Sequence, residues 1–170
     1  MPGNASANTN DPGPRRQDKT GSTQTMTIRE ELQIDCPPTT AFDLMADVRK
    51  LTEWNDGASK AEMRSAEPVG LGSTFVAVNR GQAMTSTITT FERPKRLDFS
   101  VEGKAMDVAA TFQFTSAGEG TQLVMEFTPA PKGVMKVLLP ALKPLIRRDL
   151  ARQHLKFKHY CESQGAITSR

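Results

Sequence analysis

Along most of this chain apolar residues fall at every second position, and from Gly133 onward they fall at every third or fourth. A period of two belongs to a pleated strand with one buried face, and a period near 3.6 to a helix with one buried stripe. The single switch therefore predicts strands first and one long helix last. Residues 26–34, MTIREELQI, open the pattern, with Met26, Ile28, Glu30, Leu32 and Ile34 on one side of a strand. Pro37 and Pro38 end it. Thr39 or Thr40 can cap a helix, and Ala41, Phe42, Leu44, Met45 and Val48 give it an apolar stripe over about 39–46, with a further turn toward Leu51. Five or six more strand-like runs come after Trp54: SKAEMRSA, STFVAVN, MTSTITTFE, LDFSVE, MDVAATFQFT and TQLVMEFT. Short spacers carrying Gly or Pro join them, which predicts antiparallel neighbours in one meandering sheet.

The closing helix spans about 133–162, and Leu138, Leu142, Ile146, Leu150, His154, Phe157 and Cys161 fall near one stripe. Pro140 and Pro144 each delete a backbone donor, so its first third is expected to be kinked or separate. That segment carries Val134, Val137, Leu138 and Leu142, and is expected to act as a gate over whatever the sheet encloses. One curved antiparallel sheet with one helix to cover its concave face is an α+β arrangement, and the helix is too narrow to fill the concavity. A cavity is expected between them, of the kind that binds small apolar molecules.

The ends set the domain limits. Residues 1–25 hold no apolar run and are rich in Asn, Pro, Gly, Ser and Thr, so a disordered tail is expected there in place of a signal peptide, and a flexible C-terminus over 164–170. One domain over 26–163 remains. No run is apolar enough to span a bilayer. Cys36 and Cys161 have no CxxC spacing, which predicts free thiols and a cytoplasmic location. Basic residues gather late, from Lys132 to Lys158, without interleaved aromatics; a solvated helix face is favoured over a nucleic-acid or membrane patch. His154 and His159 are five apart, on different faces of a helix, so no metal site is expected. No nucleophile motif is present, Gly70-Leu71-Gly72 precedes a strand and reads as a turn, and no cofactor is expected.

The run IDCPPTTAFDLMADVRKLTEW at 34–54, together with GLGSTF at 70–75, FERPKRL at 91–97 and GEGTQL at 118–123, resembles the START-like (SRPBCC) superfamily, in its polyketide cyclase/dehydrase and lipid-transport branch. The resemblance covers about 26–163. It implies a helix-grip fold: a seven-stranded antiparallel sheet wrapped around a long C-terminal helix, two short helices after the first strand, and a deep hydrophobic cavity. It leaves function open among binding or transport of a lipid or polyketide-like molecule, a cyclase, aromatase or dehydratase using the same cavity, and a co-chaperone-like partner-binding module. A monomer or weak homodimer is expected, with a hydrophobic small molecule as partner.

Strand parity nominates the ligand-facing residues as Phe75, Met84, Phe99, Met106, Phe112, Met125 and Phe127, with Leu138 and Leu142 from the helix and Trp54 from the connection before the second strand. Each of the methionines also reads as ordinary core filler, which is the safer reading of any single one. Glu30 is the polar oddity, because its parity places a carboxylate among apolar neighbours. A bulge or the open end of the sheet would turn it outward; otherwise it meets a polar group of the ligand, with Asn79 and Ser86 as further polar wall positions.

Overall fold

The computed structural model describes residues 26–168, so the expected tail at 1–25 lies outside the described residues. Strand β1 (Ile28–Ile34) leads into helix α1 (Pro38–Ala46), a 3-10 turn at Val48–Lys50, and the single-turn helix α2 (Leu51–Trp54). Next in the chain are strands β2 (Ala58–Met63), β3 (Thr74–Asn79), β4 (Gln82–Glu92), β5 (Arg96–Gly103), β6 (Met106–Ala117) and β7 (Gly120–Pro131), and helix α3 (Met135–Thr168) closes it. The strands form one sheet in the order β1-β7-β6-β5-β4-β3-β2, every pair antiparallel. Strands β2 to β7 are a meander, and β1 adds itself beside β7. This is the helix-grip arrangement: seven strands curved about one long helix.

The tightest corner explains its own geometry. Asn79 pairs with Gln82 across a two-residue loop, and Arg80 and Gly81 take φ of 51° and 75°. Both central residues of a type I′ turn need positive φ, which suits the right-handed twist of the flanking strands. Glycine adopts that conformation freely, whereas Arg80 does so against a steric penalty of roughly 1 kcal/mol.

Several expectations need correction. Pro38, not a threonine, opens α1, and no side chain caps it; a proline at the first helical position loses a donor that had no helical partner anyway. Helix α3 runs unbroken through Pro140 and Pro144. Both prolines and Lys136 face outward, so the carbonyls of Lys136 and Pro140 that lose their donors lie on the solvent side. The helix also continues to Thr168, past the expected boundary at 163. Gly165 permits this, because a Cβ there would lie 3.1 Å from the Cys36 Cβ, tighter than ordinary packing.

The stripe of α3 differs as well. Steps of four residues drift by about 40° each on a helix of 3.6 residues per turn, so a line drawn from His154 back through Leu150, Ile146 and Leu142 has swung away from the sheet by Leu138. Leu139 is the buried residue there and Leu138 is 45% exposed.

The core gathers around α1 and the far half of α3. Phe42 meets Phe91 and Phe114 edge-on, with centroids 5.1 and 5.4 Å apart. Ile34, Phe75, Leu97, Leu123, Met125 and Phe157 complete it, all fully buried. Cys36, two residues past β1, and Cys161 of α3 are far apart in the chain but meet here as free, buried thiols. Each thiol acts on the other, lowering the Cys36 pKa and, together with burial, raising that of Cys161.

Candidate ligand cavity

The α1-side core stops short of the middle of the sheet, and a cavity of about 240 Å³ remains there. This is just below the roughly 300–1,000 Å³ usual for small-molecule sites. Its floor is the inner face of β3–β7, with Ala77, Met84, Phe99, Val101, Phe112 and Phe127. Met45, Val48, Leu51 and Trp54 form one wall and Leu150, Gln153 and His154 of α3 the roof. Phe112 stands edge-on to both Phe99 and Phe127, at 6.0 and 5.7 Å, so the floor is a continuous aromatic surface.

Five of the nominated residues line this cavity: Trp54, Met84, Phe99, Phe112 and Phe127, together with Asn79 and Ser86. The rest do not. Phe75 and Met125 belong to the closed core. Met106 pairs with Pro131 at the far end of the sheet, away from the lining. Leu138 and Leu142 are outside it too, because α3 contributes to the cavity only from Leu150 to His154. The segment 133–144 therefore does not cover the cavity, and the expected gate is not placed where it would open it.

Glu30 is the largest surprise of the site. The β1–β7 register is continuous from Ile28↔Phe127 to Ile34↔Thr121, so no bulge turns this residue outward. Its carboxylate instead meets His154, with Nδ1 2.5 Å from Oε2. The imidazole is only 3% exposed and lies nearly parallel to Phe127, 5.3 Å between ring centroids. Burial lowers the His154 pKa, and the Glu30 carboxylate opposes that shift. A neutral imidazole whose proton sits on Nδ1, toward Glu30, leaves the Nε2 lone pair for the opposite side of the ring. His154 was legible only as one more member of a helical stripe; the usable signal was that Glu30 and His154 are each a polar residue on an otherwise apolar face.

A second polar chain borders the cavity. Asn55 accepts from the Gly57 amide at 2.9 Å and donates to Gln153 Oε1 at 3.0 Å. Gln153 donates to Asp149 at 2.8 Å, and Asp149 also receives Arg152 and, from the β3–β4 turn, Arg80. Helix α2, helix α3 and the turn are thus tied together beside Asn79 and Leu150 of the lining. Trp54 packs edge-on against Phe157 at 5.1 Å. Its Nε1 and the Asn79 Oδ1 are buried without a hydrogen-bond partner among the described residues.

A seven-stranded antiparallel sheet closed on a C-terminal helix over an apolar cavity defines a START-like protein. The chain belongs to the family described as polyketide cyclase / dehydrase and lipid transport, whose model matches residues 25–162. No curated protein sequence matches it. Among solved structures it is similar to a START superfamily protein from Mycobacterium smegmatis, at 11% identity and a TM-score of 0.64 over 84% of this chain and 98% of that one. It is similar to Ara h 8.0201, at 16% identity and a TM-score of 0.63 over 82% and 99%. It is also similar to the di-domain ARO/CYC BexL from the BE-7585A biosynthetic pathway, at 16% identity and a TM-score of 0.65, over 83% of this chain and 50% of that one. At these identities the likeness is one of fold.

Proposed function

We propose that this protein binds a hydrophobic small molecule, lipid or polyketide-like, inside the cavity. The observation that carries the reading is the aromatic floor of Phe99, Phe112 and Phe127, facing a space that the protein's own side chains leave unfilled. Natural cores are packed to crystal-like density, and a void of this size costs stability unless something occupies it. Among the polar groups of the lining, His154 is the one backed by a carboxylate, which favours an apolar ligand carrying a hydrogen-bond donor, such as a phenol or enol hydroxyl. Native mass spectrometry of freshly purified protein tests the reading: an added mass that is lost on denaturation, and lost again in a Phe112→Trp variant that fills the void, is the expected result. A bare protein that no apolar dye enters would overturn it.

A second reading is favoured by one observation, the Glu30–His154 pair. An imidazole backed by a carboxylate is the arrangement that general acid–base catalysis uses, and a cyclase or dehydratase acting on a polyketide-like substrate needs such a group. Glu30→Gln separates the two readings: a carrier keeps its ligand mass in this variant, whereas an enzyme keeps binding and accumulates unconverted substrate.

A further inference from the structure

The basic residues Lys136, Lys143, Arg147, Arg148 and Arg152 of α3 are exposed, as a solvated face requires, but apolar residues are exposed beside them. Val134, Val137 and Leu145 are 72%, 79% and 64% exposed, with Leu138 beside them. At 100° per residue these four and Ala141 fall within an arc of about 100°, one continuous stripe along the outside of the helix. Scattered apolar residues on a surface need no explanation, but a contiguous stripe does. Of the five basic residues between Phe127 and Arg148, Arg148 falls on the stripe by the same rotation, whereas Lys136, Lys143 and Arg147 turn about 130–170° away from its centre. The same line continues into Arg148 and Arg152, which with Arg80, Leu145 and Asp149 enclose a shallow depression of about 350 Å³. Three guanidinium groups surround one carboxylate there. Arg80 reaches that place from a backbone conformation unfavourable for any residue with a side chain, and such strain concentrates where a side chain is needed.

Each other occupant meets an objection. A second copy pairing through the same face would set these cations against their own duplicates. A nucleic acid duplex would leave the apolar stripe without a partner. An anionic bilayer surface satisfies both halves, with acyl chains for the stripe and phosphates for the arginines.

We propose that residues 134–152, with Arg80, form a docking face for an anionic lipid bilayer. The proposal does not depend on what fills the cavity. It places the Arg80–Asp149 contact, which sits beside Asn79 and Leu150 of the cavity lining, at the membrane surface, where lipid phosphate competes with Asp149 for the arginines. Sedimentation of the full-length protein with vesicles tests it, using phosphatidylcholine alone and phosphatidylcholine with about one third phosphatidylglycerol. Each basic residue near such a surface changes partitioning about fivefold, so binding at least tenfold stronger to the anionic vesicles is expected, and it should fall steeply as salt rises to about 0.5 M. The double variant Val137→Asp/Leu145→Asp and the single variant Arg148→Glu should each lose about tenfold or more, with unchanged thermal unfolding, while Arg148→Lys keeps most of the binding. Equal partitioning into both vesicles, no partitioning, or variants that bind like the parent would overturn the proposal. So would duplex DNA binding lost in the same variants without lipid binding, or a dimer in light scattering that Leu145→Asp dissolves.

Discussion

At the scale of single residues, the Glu30–His154 pair makes stability depend on pH. Burial holds His154 below its ordinary value of 6.5, against the pull of Glu30, so the unfolded chain takes up this proton more readily than the folded one. Stability is then complete above about pH 6.5 and is lost as pH falls through that value. Urea unfolding across a pH series should show this acid slope, and His154→Gln should flatten it. A parent protein that instead loses stability as pH rises through 6.5 would mean that the pair is held as ions. The phenylalanines divide by environment in the same way. Phe42 is wholly buried between Phe91 and Phe114, and Phe42→Ala should cost roughly 3–5 kcal/mol. Phe112 has the cavity on one side, so it has fewer atoms to lose, and Phe112→Ala should cost less than about 3 kcal/mol while increasing uptake of an apolar dye. Equal losses in chemical denaturation would place Phe112 in closed core.

At the scale of elements, α3 is one helix with two kinds of environment. From Leu150 to Cys161 it is clamped against the sheet, with His154, Phe157 and Cys161 buried; before Pro144 most of its side chains are exposed. Hydrogen exchange should mirror that division: amides of 136–143 should exchange faster than those of 150–160, and only the second group should slow when the cavity is filled. Slowing confined to 133–143 would restore the gate to the segment where the prolines lie. The elements themselves were readable because alternation in β1 and β4–β7 has one buried face to report, and their order left only a sheet with a covering helix. Strand parity gave the inward face but not where closed core gives way to cavity, so Met84, Phe99, Phe112 and Phe127 line it while Phe75 and Met125 do not; on the helix the drift of the stripe made Leu138, and not Leu139, look buried. His154 escaped because an imidazole on an apolar stripe looks like a satisfied core residue until its carboxylate partner, 124 positions away, is brought beside it.

At the scale of the whole molecule, the protein separates two kinds of surface. The enclosed one is aromatic on its floor with a few polar groups at its walls and roof; the outer face of α3 is apolar and cationic together. The closed core at the α1 end is continuous with the cavity floor through Phe99, Ala110 and Phe112. The sheet order adds a constraint of time. Ile28 pairs with Phe127, so β1 has no backbone partner until about 100 further residues have been made. At synthesis rates of roughly 5–20 residues per second, that is about 5–20 s during which a newly emerged strand waits with both edges unpaired. Open edges invite pairing with the wrong chain, and charge is the usual protection. Arg29, Glu31 and Gln33 fill the outward positions of β1, and on its inward side Glu30 stands among the apolar residues. The carboxylate that later meets His154 is therefore also what keeps this strand from being apolar along a whole face while it waits on the ribosome.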